Sequence, residues 1–321
     1  MRKVSGEARL KTYKLPELNL RHQQSIEEAA KCIFKECAEH LQVNFDRFSA
    51  DQNEKSLMQI RVGMRRTRVA LQIFKDVIPE KSAKRFKREF KYFGKRFGPA
   101  RDLDELLFGM LEEKCVYPEL SKAHEALRVV VKQERAQEYS KLGAELAEGR
   151  LTSLLISFDA WLKEDWLENA TPDAQKMMKA DIGPFAIEVI GRGQQKLFKK
   201  AGSLDEKSLS ELHKIRKYVK RCRYHLRFFS TLFDERRMQE GFSALVSLQN
   251  NLGAINDVSI GLDLMARFSA QIQAEHLPDC LSLIAAESKK ANFDIKTHLS
   301  DVQKSLNAYQ NFALSDADLL S

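Results

Sequence analysis

The sequence predicts an all-α protein, and three observations carry that expectation. Breakers are sparse: 14 Gly and 7 Pro in 321 residues leave little material for the many tight turns of a β protein. Apolar residues recur at i, i+3, i+4 spacing, and no stretch reads as a run of alternating strands. Pro79, Pro99, Pro118, Pro172 and Pro278 stand at or near the junctions between periodic stretches, where proline ends or opens a helix. Apolar content of 43% and charged content of 31% fit an ordinary globular chain and argue against disorder.

The elements follow in order. Residues 1–20 lack clear periodicity and are interrupted by Pro16. From His22 a helix is expected, with Ile26, Ala29, Ala30, Ile33, Phe34, Cys37 and Leu41 on one face. Further helices are expected at 53–78, 81–97, 100–114, 118–150, 152–165, 174–200, 205–233, 236–252, 255–275 and 279–308. On a helical wheel, the helix over 53–78 gathers Ile60, Met64, Leu71, Phe74 and Ile78 on one side. Met58, Arg61, Arg65, Arg68, Gln72 and Lys75 form an adjacent stripe. The next helix puts Phe86, Phe90, Phe93 and Phe97 on one face, and Lys84, Arg88, Lys91 and Lys95 on another. The helix over 205–233 repeats the first pattern. Ile215, Val219, Cys222, Leu226, Phe229 and Phe233 form its apolar side, and His213, Arg216, Lys220, Arg223 and Arg227 its basic stripe. The helix that follows keeps the apolar face as Leu245, Leu248 and Leu252 but replaces the basic one with Gln239, Ser243, Val246 and Asn250.

These likenesses reflect an internal repeat. Residues 57–107 and 212–262 align without a gap at an offset of 155. Within this window Leu57, Ile60, Arg61, Arg66, Arg68, Leu71, Phe74, Gly98, Asp102 and Leu107 each meet an identical residue. Any two amphipathic helices share Leu and Phe. They do not share a Gly98–Gly253 match and an Asp102–Asp257 match at an unchanged distance from a basic helix. The length is therefore read as one unit of about 150 residues used twice. The expected organisation is an N-terminal segment at 1–20, a first helical repeat at 21–168, a second at 169–310 and a tail at 311–321.

Charge is distributed unevenly. The net charge of +8 divides into +11 over 57–101, +9 over 192–227 and −12 for the rest of the chain. A solvated helix face usually interleaves signs, because opposite charges at i, i+4 stabilise a helix and like charges oppose it by ~0.2–0.5 kcal/mol per pair. Here Arg61–Arg65, Lys84–Arg88, Lys91–Lys95 and Arg216–Lys220 are like pairs, an arrangement that suits a polyanionic partner. Arginine fits that purpose because its planar fork makes bidentate bonds to phosphate oxygens.

LMQIRVGMRRTRVALQIF (57–74) and LHKIRKYVKRCRYHLRFF (212–229) resemble the two signature helices of CHAD domains, the conserved histidine α-helical domains. FGPARDLDEL and LGAINDVSIGL resemble the Gly-x-x-Arg/Asn-Asp element that follows each of them. The resemblance covers roughly residues 20–310. It implies two pseudo-symmetric helical bundles with a basic central groove that binds inorganic polyphosphate, and it makes association with polyphosphate granules plausible. His213 stands at the family's histidine position in the second repeat, followed by Arg216, Lys220, Arg221 and Arg223. In the first repeat Arg61, Arg65, Arg66 and Arg68 match the basic pattern, but Met58 occupies the histidine position. That departure implies weakened or asymmetric binding rather than none. Glu7-Ala8-Arg9-Leu10-Lys11 does not fit the Glu-x-Glu-x-Lys of the triphosphate tunnel domain fused to some members, so the resemblance is to a stand-alone member.

The polyphosphate-binding set expected from stripe and resemblance together is Arg61, Arg65, Arg66, Arg68, Lys84, Arg88, Lys91, Lys95, His213, Arg216, Lys220, Arg221, Arg223 and Arg227. His213 reads either as a structural residue of an amphipathic helix or as an anion contact favoured in its charged form beside phosphate. Asp102 and Asp257 have two compatible readings: a carboxylate in the first turn of a helix, or an anchor that aims an arginine of the basic helix. The sequence contains no P-loop, no HExxH helix and no carboxylate cluster near the basic helices, so catalysis is not expected. Five cysteines without a CxxC pair, and no histidine or carboxylate completing a ligand pair with His225 and Cys222, imply no disulfide scaffold, no metal and no cofactor. Neither a signal-peptide h-region nor a membrane-length apolar run is found, so a cytoplasmic protein without a membrane partner is expected. RNA is the alternative ligand, and an enzyme of polyphosphate metabolism the third reading. Phe86, Phe90, Phe93 and Phe97 lie on an apolar stripe, which favours core over base-stacking platforms.

Overall fold

The computed structural model describes residues 18–112, 114–168, 170–202, 204 and 207–320. Most of the expected N-terminal segment, including Glu7–Lys11, lies outside them. The described chain is almost entirely helical. Its only β features are two isolated bridges, Ser25 with Asp181 and Phe233 with Leu319.

The helices are α1 (Ile26–Ala50), α2 (Glu54–Ile73), α3 (Glu80–Arg96), α4 (Gly98–Glu105), α5 (Ser121–Ala147), α6 (Arg150–Leu162), α7 (Pro172–Met178), α8 (Ile182–Ala201), α9 (Leu209–Phe229), α10 (Glu235–Ser269) and α11 (Leu277–Gln310). Their starts follow local chemistry. Ser25 with Glu28 and Ser208 with Glu211 form capping boxes that open α1 and α9, and the Asn53 side chain accepts from the Ser56 N–H to open α2. Each such cap contributes about 1 kcal/mol. Gly149, at φ +76°, supplies the left-handed residue that separates α5 from α6.

Three boundaries differ from the sequence expectation. The stretch 174–200 divides into α7 and α8, because Asp181 adopts extended backbone and the chain there pairs with the entry to α1. The Ile26 N–H donates to the Ala180 carbonyl and the Ile182 N–H to the Gln24 carbonyl, each at 2.9 Å. The stretch 100–114 leaves the α-helix after Glu105 for a π-helical turn over Leu106–Met110. The expected helices 236–252 and 255–275 are one 35-residue helix, α10. The stretch aligned with it in sequence is broken between α3 and α4 beside Pro99, which cannot donate a helical bond and crowds the carbonyl four residues back. Ala254 stands at the aligned position and lets the helix run on.

One contiguous apolar core joins residues from both halves of the described chain. Phe86, Phe90, Phe93 and Phe97 are at most 1% exposed, and Phe86 and Phe90 pack on Phe158 at 5.0 and 5.2 Å between ring centres. Phe74 of α2 stacks on Phe185 of α8 at 5.6 Å. Within the same core, Phe74 and its aligned partner Phe229 meet edge to face at 6.5 Å. Burying each of these rings contributes about 2–3 kcal/mol, so the packing that fixes α2 beside α8 and α9 is strong. A smaller cluster of Leu103, Leu106, Leu127, Val131, Met265, Phe268 and Leu283 ties α4 and α5 to α10 and α11. Among the described residues no helix is long and apolar enough to cross a membrane.

Candidate functional site

Helices α2 and α9 lie against one another, each with its apolar side in the core. The side chains between apolar and solvent faces are basic on both. Arg61, Arg65 and Arg68 of α2 and Arg216, Lys220 and Arg223 of α9 are half-buried. Arg61, Arg65, Arg68, Lys217, Lys220 and Arg221 have no carboxylate within ion-pair distance among the described residues. Several cations on the outside of the molecule are paired: Lys31 with Glu27 at 2.9 Å, Arg96 with Glu145 at 2.5 Å, Arg150 with Glu89 at 2.8 Å and Lys163 with Asp159 at 2.6 Å.

Arg61 Nη1, Arg68 Nε and Arg216 Nε are buried and have no hydrogen-bond partner. A buried donor of a charged group left unmade costs more than about 1–3 kcal/mol, so these nitrogens favour an incoming anion. The cations also repel one another across the helices. Burial pushes the Arg61 guanidinium down to about 10; Asp102 opposes this, while Arg65, Arg101 and Arg216 add to it. Burial, with Arg65, Arg216 and Arg101 acting in the same sense and Asp257 against, brings the Lys220 ammonium down to about 6. Arg68 is lowered by burial and by Arg65 and Arg221. Lys87 of α3 is lowered by burial and by Arg68, Arg221, Lys75 and Lys91. Residues from α2, α3, α4 and α9 thus form one cationic cluster, compensated in part where Arg101 meets Glu105 at 2.8 Å and Asp257 at 3.4 Å.

A polar network borders it on α10. Asp257 Oδ1 accepts from Arg101 Nη1 and Arg216 Nη2, both at 3.4 Å, and from Asn256 Nδ2 at 3.1 Å. Because the Asn256 amide nitrogen faces the carboxylate, its oxygen faces His213, whose Nδ1–H donates to it. His213 is lowered by burial, with the Asn256 bond opposing and Lys217, Arg216 and Lys220 adding to the fall. With no anion present the imidazole is therefore biased to its neutral form, with Nε2 an acceptor.

The repeated glycine sits where an arginine passes. A Cβ on Gly98 would lie 3.6 Å from Arg61 Nη1, and one on Gly253 would lie 3.9 Å from Arg216 Nε and Nη2. Arg61 and Arg216 are themselves aligned, so the same close approach of guanidinium to helix occurs at both. Gly94 approaches Arg68 Nη1 in a similar way, at 3.8 Å.

Several expected site residues stand elsewhere. Arg66 is fully buried, donates through Nη1 to Glu36 Oε1 of α1 at 2.9 Å, and pairs through Nη2 with the other oxygen; it lies over the Phe228 ring. Its position, 100° around the helix from Arg65, turns it into the core, so it is a structural ion pair and not a ligand contact. Its aligned partner Arg221 is exposed, over the Tyr218 ring. On α3, Lys84 pairs with Glu80 at 2.6 Å and Arg88 with Glu89 at 3.3 Å on the exposed surface, and Lys95 is exposed as well. The α3 lysine that faces the cluster is Lys87, which donates to Gln72 Oε1 at 2.6 Å, with Lys91 one turn on. Arg223 and Arg227 continue the α9 stripe, half-buried. Met58, in the histidine position of the first repeat, is 44% exposed.

The first-turn reading fails for both aspartates: Asp102 falls past the first turn of α4, and Asp257 lies in the middle of α10 with no helix terminus near it. Asp102 lies 3.5 Å from Arg101 Nη1 and acts on Arg61. Sequence reasoning missed Arg101, Lys87, Lys217 and Asn256 as members of the cluster. Arg101 and Asn256 did carry a signal, since they occupy aligned positions one residue before the matched aspartates. All five cysteines are free. Among the described residues no three His, Cys, Asp or Glu side chains are grouped to hold a metal.

Comparison with known proteins gives a consistent result. The CHAD domain family matches residues 32–266, well over half of the chain. No curated protein matches the sequence. Among solved structures, the CHAD domain from the plant Ricinus communis superposes with a TM-score of 0.77 at 23% identity, covering 93% of this chain and 97% of that one. PptA from Streptomyces chartreusis superposes with a TM-score of 0.66 at 12% identity, covering 88% of this chain and 100% of that one.

Proposed function

This chain belongs to the CHAD domain family, and from that membership together with its unpaired cations we propose that it binds inorganic polyphosphate without turning it over. The ligand lies along the cluster of Arg61, Arg65, Arg68, Arg101, Arg216, Lys217, Lys220 and Arg221, in a basic groove between two repeats descended from one duplicated unit. The observation that carries this reading is that Arg61, Arg65, Arg68 and Lys220, half-buried between α2 and α9, have no carboxylate within ion-pair distance among the described residues. A linear chain with a negative charge on each phosphate supplies the missing partner repeatedly, at the spacing of successive helical turns. Arginine forks supply bidentate charge-assisted bonds of about 1.5–3 kcal/mol each. His213, once protonated, adds a donor through Nε2.

Binding without turnover follows from what surrounds the cations. Asp257 is engaged by two arginines and an amide, and so is not free to activate a nucleophile. Polyphosphate is favoured over RNA because the clustered phenylalanines are core residues, leaving no row of stacked-base platforms beside the cations. The protein works in the cytoplasm, where polyphosphate granules are a natural destination.

The test measures binding of long-chain polyphosphate, tripolyphosphate and single-stranded RNA at matched charge and ~150 mM salt, and follows polymer length for hours. The proposal expects long polyphosphate to bind tightest, with steep salt dependence and no shortening. RNA binding as tight or tighter overturns it, and shortening of the polymer by pure protein moves the protein into the enzyme class.

A further inference from the structure

Resting on the polyphosphate reading, we propose that Asn256 is a positioning residue: it fixes His213 in its Nδ1–H form and reserves Nε2 for the phosphate chain. Asn256 lies in the middle of α10, where that helix packs along α9, and it is buried. A buried amide is costly unless both of its ends are bonded. Here both are. Nδ2 donates to Asp257 Oδ1 at 3.1 Å, and Oδ1 is hydrogen-bonded to His213 Nδ1.

The carboxylate sets the direction of the whole chain of bonds. An ionised Asp257 can only accept, and the same Oδ1 takes Arg101 Nη1 and Arg216 Nη2, both at 3.4 Å. The amide must therefore turn its nitrogen to Asp257 and its oxygen to the imidazole. That oxygen has no proton to give, so the ring nitrogen it meets must carry one. Nδ1 is then a donor in the neutral and in the charged ring alike, and Nε2 is the ring atom left for a ligand. In the imidazolium, Nδ1–H goes to Asn256 and Nε2–H to a phosphate oxygen.

The aligned positions support a paired role. His213 aligns with Met58, and Asn256 with Arg101. Where the imidazole is absent the amide is absent too, and the guanidinium in its place crosses to Asp257. Gly253, one turn before Asn256 on α10, lets that helix approach Arg216, since a Cβ there would lie 3.9 Å from Arg216 Nε. His213 and Arg216, one turn apart on α9, are thus held by successive turns of the same partner helix.

The tautomer can be read without any ligand. Nitrogen and carbon NMR of the His213 ring, identified by the signals missing from His213→Phe, distinguishes the two neutral forms. In ligand-free wild type at about pH 8, where histidine is neutral, the Nδ1–H form is expected. Asn256→Leu should move the ring to the Nε2–H form that free histidine prefers. Asn256→Asp, which keeps an acceptor, should keep the Nδ1–H form. An Nε2–H ring in the wild type, or an Nδ1–H ring in Asn256→Leu, overturns the proposal.

A binding titration tests the role of Nε2. At about pH 6, His213→Phe and Asn256→Leu should each weaken long-chain polyphosphate binding about tenfold, the loss of one charge-assisted hydrogen bond. The double variant should lose no more than either single one, because the amide acts only through the ring. Losses that multiply in the double variant overturn the proposal, as does wild-type affinity in Asn256→Leu. A wild type that binds no polyphosphate instead overturns the reading on which the proposal rests, while the tautomer still tests the hold of Asn256 on His213.

Discussion

The two basic helices invite comparison because they align residue for residue yet do different work. α2 carries permanent charge: Arg61, Arg65 and Arg68 are all arginines, and Met58 stands where α9 has His213. α9 carries titratable charge, with His213 tied through Asn256 to Asp257 and Lys220 surrounded by arginines. Neighbouring helices reinforce the difference. α3 brings Lys87 and Lys91 towards the cluster, whereas the aligned positions of α10 are Phe242 and Val246, and α10 offers instead an amide and a carboxylate. Two aligned helices thus differ in chemistry: α2 presents arginines, and α9 mixes arginine with histidine and lysine.

The largest effect should come from the permanent half. The triple change Arg61→Glu, Arg65→Glu and Arg68→Glu removes three charge-assisted contacts of at least about 1.5 kcal/mol each. Polyphosphate affinity should fall by about three orders of magnitude or more in a binding titration, with helical content by circular dichroism nearly unchanged. Retained binding would show that α2 does not line the site.

The next prediction separates the matched pair Arg66 and Arg221. Arg66→Ala leaves Glu36 buried without its partner and should destabilise the fold by about 3–5 kcal/mol in denaturant unfolding. Arg221→Ala is exposed and should change stability by no more than about 0.5 kcal/mol while weakening polyphosphate binding several-fold. A reversal of these two outcomes would mean that aligned position, and not burial, sets the role.

Smaller effects sharpen the asymmetry further. Asp257→Asn deprives Arg101 and Arg216 of their shared carboxylate and should lower ligand-free stability by about 1 kcal/mol, with added polyphosphate restoring more stability than it adds to wild type. Met58→His, at an exposed position, should tighten binding by only a few-fold and chiefly below about pH 6.5, where imidazole is charged. A gain equal at pH 8 would show that the substitution acts through packing and not charge.

Much of this was legible in the sequence. Helical periodicity, the two basic stripes and the matched Gly and Asp positions placed α2, α9 and their partners, and the phenylalanine stripe of α3 announced a core face. What could not be read is which charges converge. Arg101 reaches Asp257 across 156 positions of chain, and only the packing of α4 against α10 brings them together. Arg66 looked like one more member of a basic run because its partner Glu36 sits on α1, thirty residues away. The boundary expected between 252 and 255 does not exist in α10: Pro99 breaks the aligned stretch between α3 and α4, and Ala254 has no such effect.

The central claim is that a phosphate chain occupies the cluster between α2 and α9 and not the outer basic surface. Amine acylation footprinting of the whole chain, with and without long-chain polyphosphate, tests it most directly, because lysines stand on both surfaces. Protection is predicted at Lys87, Lys217 and Lys220. Lys84 and Lys163, paired on the exterior, should react equally in both samples. Uniform protection of all lysines, or protection of Lys84 with Lys217 and Lys220 unchanged, would contradict the account.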